Sequence, residues 1–251
     1  MPTFPLSVEN EGMSNLRGTS VTWLGHATVL IQTPGGTTIL IDPFIEQNPK
    51  FPKGFKLPEK LDLMILTHAH ADHVADVVPV AKRSQPTVVG MVELVTWFAG
   101  KGVEKTVGLN LGGSFQFNDV TATMVEAKHS SGIQDDDGFV YGGVAAGIVL
   151  KIEGGPVLYH AGDTCAFGDM RLIRELHAPE FGMLPIGDYY TMGPKEAALA
   201  AELLGVESIL PIHFGTFPVL TGTPEELKKA LEQRNLSAIE VLEVKPGEAV
   251  R

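Results

Sequence analysis

The chain reads as an α+β domain of stacked layers. Three observations carry that expectation. Short apolar runs of strand composition recur along the sequence; 28 Gly and 17 Pro punctuate them where strands pass into loops; and helical segments with recognisable ends lie between the strands.

In chain order, apolar alternation and apolar runs bounded by Gly place strands at 20–24, 28–32, 37–41, 61–66 and 87–89. Helical patterns follow at 74–83 and 92–99, and strands return at 114–117 and 120–127. The run Val149-Leu150-Lys151-Ile152, a Gly154-Gly155 turn and Val157-Leu158-Tyr159 echo Val29-Leu30-Ile31-Gln32, Gly35-Gly36 and Ile39-Leu40-Ile41. Both hairpins run into an aspartate, Asp163 and Asp42, which hints at two similar β-rich halves with chemistry at corresponding strand ends. Pro194 begins and Gly205 ends an Ala/Leu-rich helix. Thr223-Pro224-Glu225-Glu226 has the form of a capping box that opens the last helix. Strands are expected at 208–211 and 239–242 around these helices.

With 251 residues, 44% hydrophobic and 20% charged, the chain suits one large domain over 19–251, preceded by an extended arm at 1–18. That arm lacks both a basic start and an apolar core, and no apolar run is long enough to cross a bilayer, so neither export nor membrane insertion is expected. A single cysteine, Cys165, excludes an intrachain disulfide, and the cytoplasm is the expected compartment. The formal net charge of −11 opposes nucleic acid. The pairs Lys82-Arg83 and Lys228-Lys229 read as solvated helix faces rather than a basic patch.

The chemistry is concentrated in Thr67-His68-Ala69-His70-Ala71-Asp72-His73, directly after the apolar run 61–66. Histidine is scarce, eight in the chain, and small Ala spacers leave room for an ion near the backbone. In extended chain, residues two apart project to one side, so His68 and His70 can face one metal. Asp72 and His73, at the turn into a helix, can serve a second.

This stretch resembles the signature loop of the metallo-β-lactamase fold superfamily. His129 after the strand 120–127, Asp163 in His160-Ala161-Gly162-Asp163-Thr164, and His213 before Phe214 match its remaining ligands in order and context. Leu24-Gly25-His26-Ala27, Leu184-Pro185-Ile186-Gly187-Asp188 and Thr191-Met192-Gly193-Pro194 are similar to one branch, the bacterial and archaeal metal-dependent hydrolases related to ascorbate-6-phosphate lactonase. The resemblance covers nearly all of the chain after residue 18. It implies a four-layer αββα sandwich with the site along one edge. It also implies that His68, His70 and His129 hold one divalent ion, that Asp72, His73 and His213 hold another, and that Asp163 bridges them. Imidazole and carboxylate donors suit zinc first, then manganese, iron or nickel.

The departures narrow the reading. A dizinc β-lactamase would carry cysteine where this chain has Asp163, and a flavin-coupled di-iron reductase would carry Glu in place of His70 and an added flavin domain. Cys165 reads as a small buried residue beside the site. By resemblance, the implied reaction is cleavage of a small ester, lactone or phosphoester by hydroxide bound between two metals, with Asp72 and Asp163 as the catalytic carboxylates. The substrate is a small molecule, and a homo-oligomer is compatible with the family.

Other residues carry paired readings. Asp42 either hydrogen-bonds a ligand histidine or caps a turn before Pro43. His26 is a residue by the pocket or a satisfied core histidine, and His160 lies at the rim or beneath the site. His177 reads as surface. Asp188, Tyr189, Tyr190 and Met192 form a loop suited to specificity or to plain turn packing. Residues 130–143 form a cover over the pocket or an acidic surface loop, and 214–218 line the opposite wall. Competing functions are a mononuclear-iron oxygenase of the same fold, a metal-dependent phosphodiesterase or nuclease, and a non-catalytic metal-binding protein.

Overall fold

The computed structural model describes residues 16–251, so the predicted arm at 1–18 lies outside the described residues up to residue 15. The strands in chain order are β1 (Ser20–Trp23), β2 (Val29–Gln32), β3 (Thr38–Ile41), β4 (Leu63–Ile65), β5 (Thr87–Met91), β6 (Thr106–Leu109), β7 (Ser114–Phe117) and β8 (Val120–Glu126). They continue as β9 (Gly132–Asp135), β10 (Gly138–Tyr141), β11 (Ala146–Ile152), β12 (Val157–His160), β13 (Phe181–Pro185), β14 (Ser208–Ile212), β15 (Glu240–Val241) and β16 (Ala249–Val250). The helices are α1 (Ala71–Val74), α2 (Val77–Ser84), α3 (Val92–Gly100), α4 (Met170–His177), α5 (Pro194–Leu204) and α6 (Pro224–Gln233).

Among the described residues these strands form two seven-stranded sheets, ordered β16-β1-β2-β3-β4-β5-β6 and β15-β14-β13-β12-β11-β8-β7, and a separate β9–β10 ribbon. In the first sheet β1, β2 and β3 pair antiparallel, and β3 to β6 pair parallel. In the second, β8, β11 and β12 pair antiparallel, and β12 to β15 pair parallel. An antiparallel strand then flanks each, β16 on β1 and β7 on β8. The two echoing segments are thus the equivalent hairpins β2–β3 and β11–β12 of two sheets with one pattern of strand senses.

Side-chain alternation stacks the layers. On β11, Ile148, Leu150 and Ile152 join a core shared with Val21, Ile31 and Leu63, which share one face of the first sheet, whereas Val149 joins a second core with Met170, Ile173, Ala197 and Leu227 of the helices α4, α5 and α6. A strand covered on both faces must be apolar on both, and the near-continuous run at 146–152 follows from that. On the far side, Val77, Val80, Leu94 and Phe98 lay α2 and α3 on the first sheet. The order helices, sheet, sheet, helices is the expected four-layer sandwich.

Two expectations are corrected. The helix read at 74–83 begins earlier, at Ala71, and is interrupted at residues 75–76. The cause is tertiary: the Asp76 carboxylate accepts from the Ile45 and Glu46 amides at 2.7 and 3.2 Å, and the Asp76 amide donates to the Pro43 carbonyl. Those bonds draw the chain out of helical geometry. The stretch 130–143, read as a cover or an acidic loop, contains the β9–β10 hairpin, turning through Asp136 and Asp137. The strands β6, β13 and β16 lie outside the strands read from sequence.

Asp42 follows β3, residues 67–70 follow β4, His129 follows β8, Asp163 follows β12 and His213 follows β14. Strand ends from both sheets therefore deliver the chemistry to one edge of the sandwich, where parallel strands commonly present ligand sites.

Candidate metal centre

The site is built outward from Asp42, a fully buried carboxylate. Its Oδ1 accepts from the Thr67 amide at 2.8 Å; its Oδ2 accepts from the Thr67 hydroxyl at 2.6 Å and lies 2.8 Å from His73 Nδ1. The Thr67 hydroxyl in turn sits 3.0 Å from His68 Nδ1. With Nδ1 of both rings engaged, the Nε2 atoms of His68 and His73 are turned to the site interior. The hydrogen bond expected of Asp42 to a ligand-type histidine is present, and Thr67 extends it to a second ring.

His70 is held from outside by Ser130, whose hydroxyl lies 3.2 Å from His70 Nε2. Its inner nitrogen, Nδ1, lies 3.0 Å from His68 Nε2 and 3.2 Å from His129 Nε2. One proton on Nδ1 can serve only one of these neighbours, so three imidazole nitrogens converge with fewer hydrogens than contacts. Two donors on a tetrahedral zinc ion at its usual bond length stand about 3.3 Å apart, so the spacing is that of ligands around a cation.

A second group comprises His26, Asp72, His73 and His213, whose donor atoms, like those of His68, His70 and His129, lie within 4.8 Å of one another. Asp163 stands between the groups. Its Oδ2 is 3.9 Å from His68 Nε2, 3.6 Å from His129 Nε2 and 3.2 Å from His213 Nε2, and its Oδ1 is 3.3 Å from His73 Nε2. Yet His73 Nε2, His213 Nε2 and Asp163 Oδ1 are buried without an aligned hydrogen-bond partner. Buried polar atoms seldom stay unsatisfied, and a cation at their convergence satisfies them together. The donor set fits divalent metal.

Strained backbone aims several of these groups. His26, Asp42 and His213 adopt left-handed φ values of 55°, 47° and 54°, the first in the β1–β2 turn and the other two directly after β3 and β14. Gly162, before Asp163, has φ 60°, and a Cβ there would meet the Ala146 carbonyl at 2.9 Å. The halves are tied across the site: the His213 amide donates to the His26 carbonyl at 2.9 Å, and His160 Nε2 lies 3.0 Å from the Ala27 carbonyl. His160 is therefore a buried strut beneath the site, its Nδ1 accepting from the Gly162 amide.

Electrostatics divides the rings. Burial pushes His68, His70 and His129 below the ordinary histidine value, favouring the neutral imidazoles that metals need. Burial acts the same way on His73 and His213, but Asp163 overrides it, with Asp42 assisting at His73 and Asp72 at His213; His73 is raised and His213 reaches about 9. Burial would raise both carboxyls. Instead His213 and His26 hold Asp72, and His213 and His73 hold Asp163, well below the carboxylate range.

His26 is fully buried, with Nε2 3.0 Å from Asp72 Oδ2 and Nδ1 3.0 Å from the Thr216 hydroxyl. Both nitrogens are engaged, so the ring supports Asp72 rather than opening onto the pocket. Asp188 is exposed, its carboxylate turned to the Tyr189 amide and toward Gly193. Cys165, expected to be buried, is exposed: its amide and carbonyl are engaged by the Lys128 carbonyl and the Thr164 hydroxyl, and the side chain is left outward. His177 is half-buried at the end of α4. The contacts made by Ser130, Thr67 and Thr216 escaped the sequence reading; a hydroxyl residue beside or shortly after a ligand-type histidine is the available signal.

A family model described as the beta-lactamase superfamily domain matches residues 37–214, from the strand before Asp42 to just past His213. The chain belongs to the beta-lactamase superfamily. It is 51% identical over 234 residues to a UPF0173 metal-dependent hydrolase of Koribacter versatilis, covering 93% of this chain and 98% of that one. With a relative of the same description from Rubrobacter xylanophilus it shares 47% over 234 residues, covering 93% and 96%. Among solved structures, Igni18, a metallo hydrolase from Ignicoccus hospitalis, superposes with a TM-score of 0.80 at 33% identity, covering 92% of this chain and 97% of that one. This member of the superfamily is a metal-dependent hydrolase with a His/Asp cluster able to bind metal. Among the described residues no helix is long and apolar enough to cross a membrane.

Proposed function

We propose that the chain hydrolyses a small ester, lactone or phosphoester with two divalent cations, one held by His68, His70 and His129, the other by Asp72, His73 and His213, with Asp163 between them. The observation that supports this reading is the placement of Asp163 within 3.2–3.9 Å of four imidazole nitrogens drawn from both groups. Zinc is the first candidate and manganese the second, because bridged carboxylates also suit harder ions.

When bound, such a pair supplies a water acidified to near neutrality and positive charge for the oxygen that becomes anionic. The chain's own groups do the rest. Asp42 and Thr67 hold the outer nitrogens of His68 and His73, and Ser130 holds that of His70, so the inner nitrogens stay aimed. His26, braced by Thr216, fixes Asp72. Asp72, only partly buried and kept as the carboxylate, holds Oδ2 on His26 Nε2 and is placed to accept a hydrogen bond from the attacking water rather than its proton.

The test is metal content by elemental analysis, together with turnover of lactones, thioesters, carboxylic esters and phosphodiesters by zinc-loaded and manganese-loaded protein. Two ions per chain are expected, with turnover falling by at least about 100-fold in His70→Ala and Asp163→Ala while the circular-dichroism spectrum stays native. One ion per chain, with full turnover in both variants, refutes the two-metal reading.

A further inference from the structure

Among the described residues, four aromatic side chains are exposed: Phe139 at 78%, Tyr141 at 67%, Tyr189 at 70% and Tyr190 at 58%. They fall on two segments far apart in sequence, and each segment is fastened to a neighbour of the histidine and aspartate cluster. The base of the β9–β10 hairpin rests on Ala69, between His68 and His70: the Ala69 amide donates to the Ser131 hydroxyl at 3.2 Å, and a Cβ on Gly142 would fall 2.6 Å from that of Ala69. The loop of Tyr189 and Tyr190 is fastened to Thr164, next to Asp163, by the Met192 amide donating to the Thr164 carbonyl at 3.0 Å.

Within each segment the aromatics act together. Phe139 and Tyr141 are two apart on β10 and so share a face, opposite the face through which Ile133 and Val140 pair and Ile133 enters the core. Tyr189 and Tyr190 meet edge to face with ring centroids 4.7 Å apart, and Asp188 and Tyr189 both hold left-handed φ values, 64° and 62°. A left-handed backbone at consecutive residues is costly, and the loop spends it on presenting two rings to solvent. Exposed apolar rings on segments anchored next to a candidate reaction centre are surface available to a bound ligand.

Charge limits what that is. Asp136 and Asp137 are exposed at the hairpin turn and Asp188 beside Tyr189, whereas Lys101 and Lys128, which lean on the same region, are each held by a carboxylate, Asp135 and Glu126. A second copy of this chain would bring the same acidic groups and another net charge of −11 against them. An anionic group on the part of a substrate that lies against these rings, away from the cations the cluster would hold, would meet the same carboxylates.

We infer that these two aromatic pairs form the substrate-recognition rim of the site and select an uncharged substrate with an aromatic or bulky apolar body next to the scissile bond. The inference rests on the hydrolase reading and names its substrate class. Flat rings can stack on the body of such a substrate while the reacting carbonyl reaches the cluster.

The experiment uses the metal-loaded full chain and three esters of one alcohol, with phenylacetyl, acetyl and anionic glutaryl acyl groups, alongside binding of N-benzylacetamide followed by calorimetry. The phenylacetyl ester is expected to be the best of the three. The double substitutions Phe139→Ser with Tyr141→Ser, and Tyr189→Ser with Tyr190→Ser, should each lower the phenylacetyl-to-acetyl ratio of kcat/KM about tenfold, mainly through KM, and weaken the amide by a similar factor. Leu176→Ser, an exposed apolar position on α4, should leave the ratio unchanged. A glutaryl preference, or equal losses on the phenylacetyl and acetyl esters, overturns the rim while leaving the hydrolase reading intact. Amide binding sensitive to the rim substitutions, with no ester turned over, sustains the rim and defeats the carboxylic-ester arm of the proposed reaction. A dimer that dissociates in the variants with amide binding unchanged overturns the rim in favour of a contact between copies.

Discussion

Asp42 illustrates how much one buried side chain can organise. Its two oxygens take three hydrogen bonds, two from Thr67 and one from His73, and Thr67 passes the restraint to His68. One carboxylate thereby orients a ring from each proposed metal set. Asp42→Asn would set an amide N–H₂ against donors, so metal affinity measured by chelator competition is expected to fall by about 10–100-fold, for both ions rather than one. Loss confined to one ion would show that Thr67 does not transmit the constraint. The protonation pattern leads to a second expectation. Without metal His213 keeps its proton up to about 9 and His73 is raised as well, whereas a metal requires the bare nitrogen. Loading metal-free protein with zinc at neutral pH in weak buffer should therefore release protons, and apparent affinity should tighten as pH rises toward 9. A release that stayed constant from neutral pH to well above 9 would contradict the assignment of a proton to His213.

At the scale of elements, legibility follows the range of the forces that set each one. The α6 capping box was readable because its partners are three residues apart, and both of its bonds form. The interruption between α1 and α2 was not, because its cause is an Asp76 carboxylate reaching amides about thirty positions upstream. Asp76→Ala should leave those two amides without their acceptor and cost about 1–3 kcal/mol in denaturant unfolding; a midpoint equal to the parent would mean that the helix breaks there for another reason. The strand β13 was missed because Gly182 and Pro185 flank its apolar core and read as loop, although every one of its residues is buried. The β9–β10 hairpin was hidden by its three consecutive aspartates, which read as a solvated loop when the apolar strand face is only two residues wide.

For the whole molecule, the two sheets proved more alike than the echo of two hairpins suggested, with matching strand senses across all seven positions. The cluster was legible because its first four donors are crowded into one loop, and because resemblance pointed to His129, Asp163 and His213. The supports around it were not, since His26 and Thr216 are 190 positions apart and no local pattern links them. The contacts that cross between halves, His213 to His26 and His160 to Ala27, also run through the same edge as the cluster. Neither half supplies a complete set: the first contributes His68, His70, Asp72 and His73, the second His129, Asp163 and His213. The proposed catalytic geometry is therefore a seam, and its accuracy depends on how the two sheets pack on each other. Any small sliding of one sheet over the other would register first as a change in donor spacing, which makes bound metal a gauge of sheet alignment for the entire molecule.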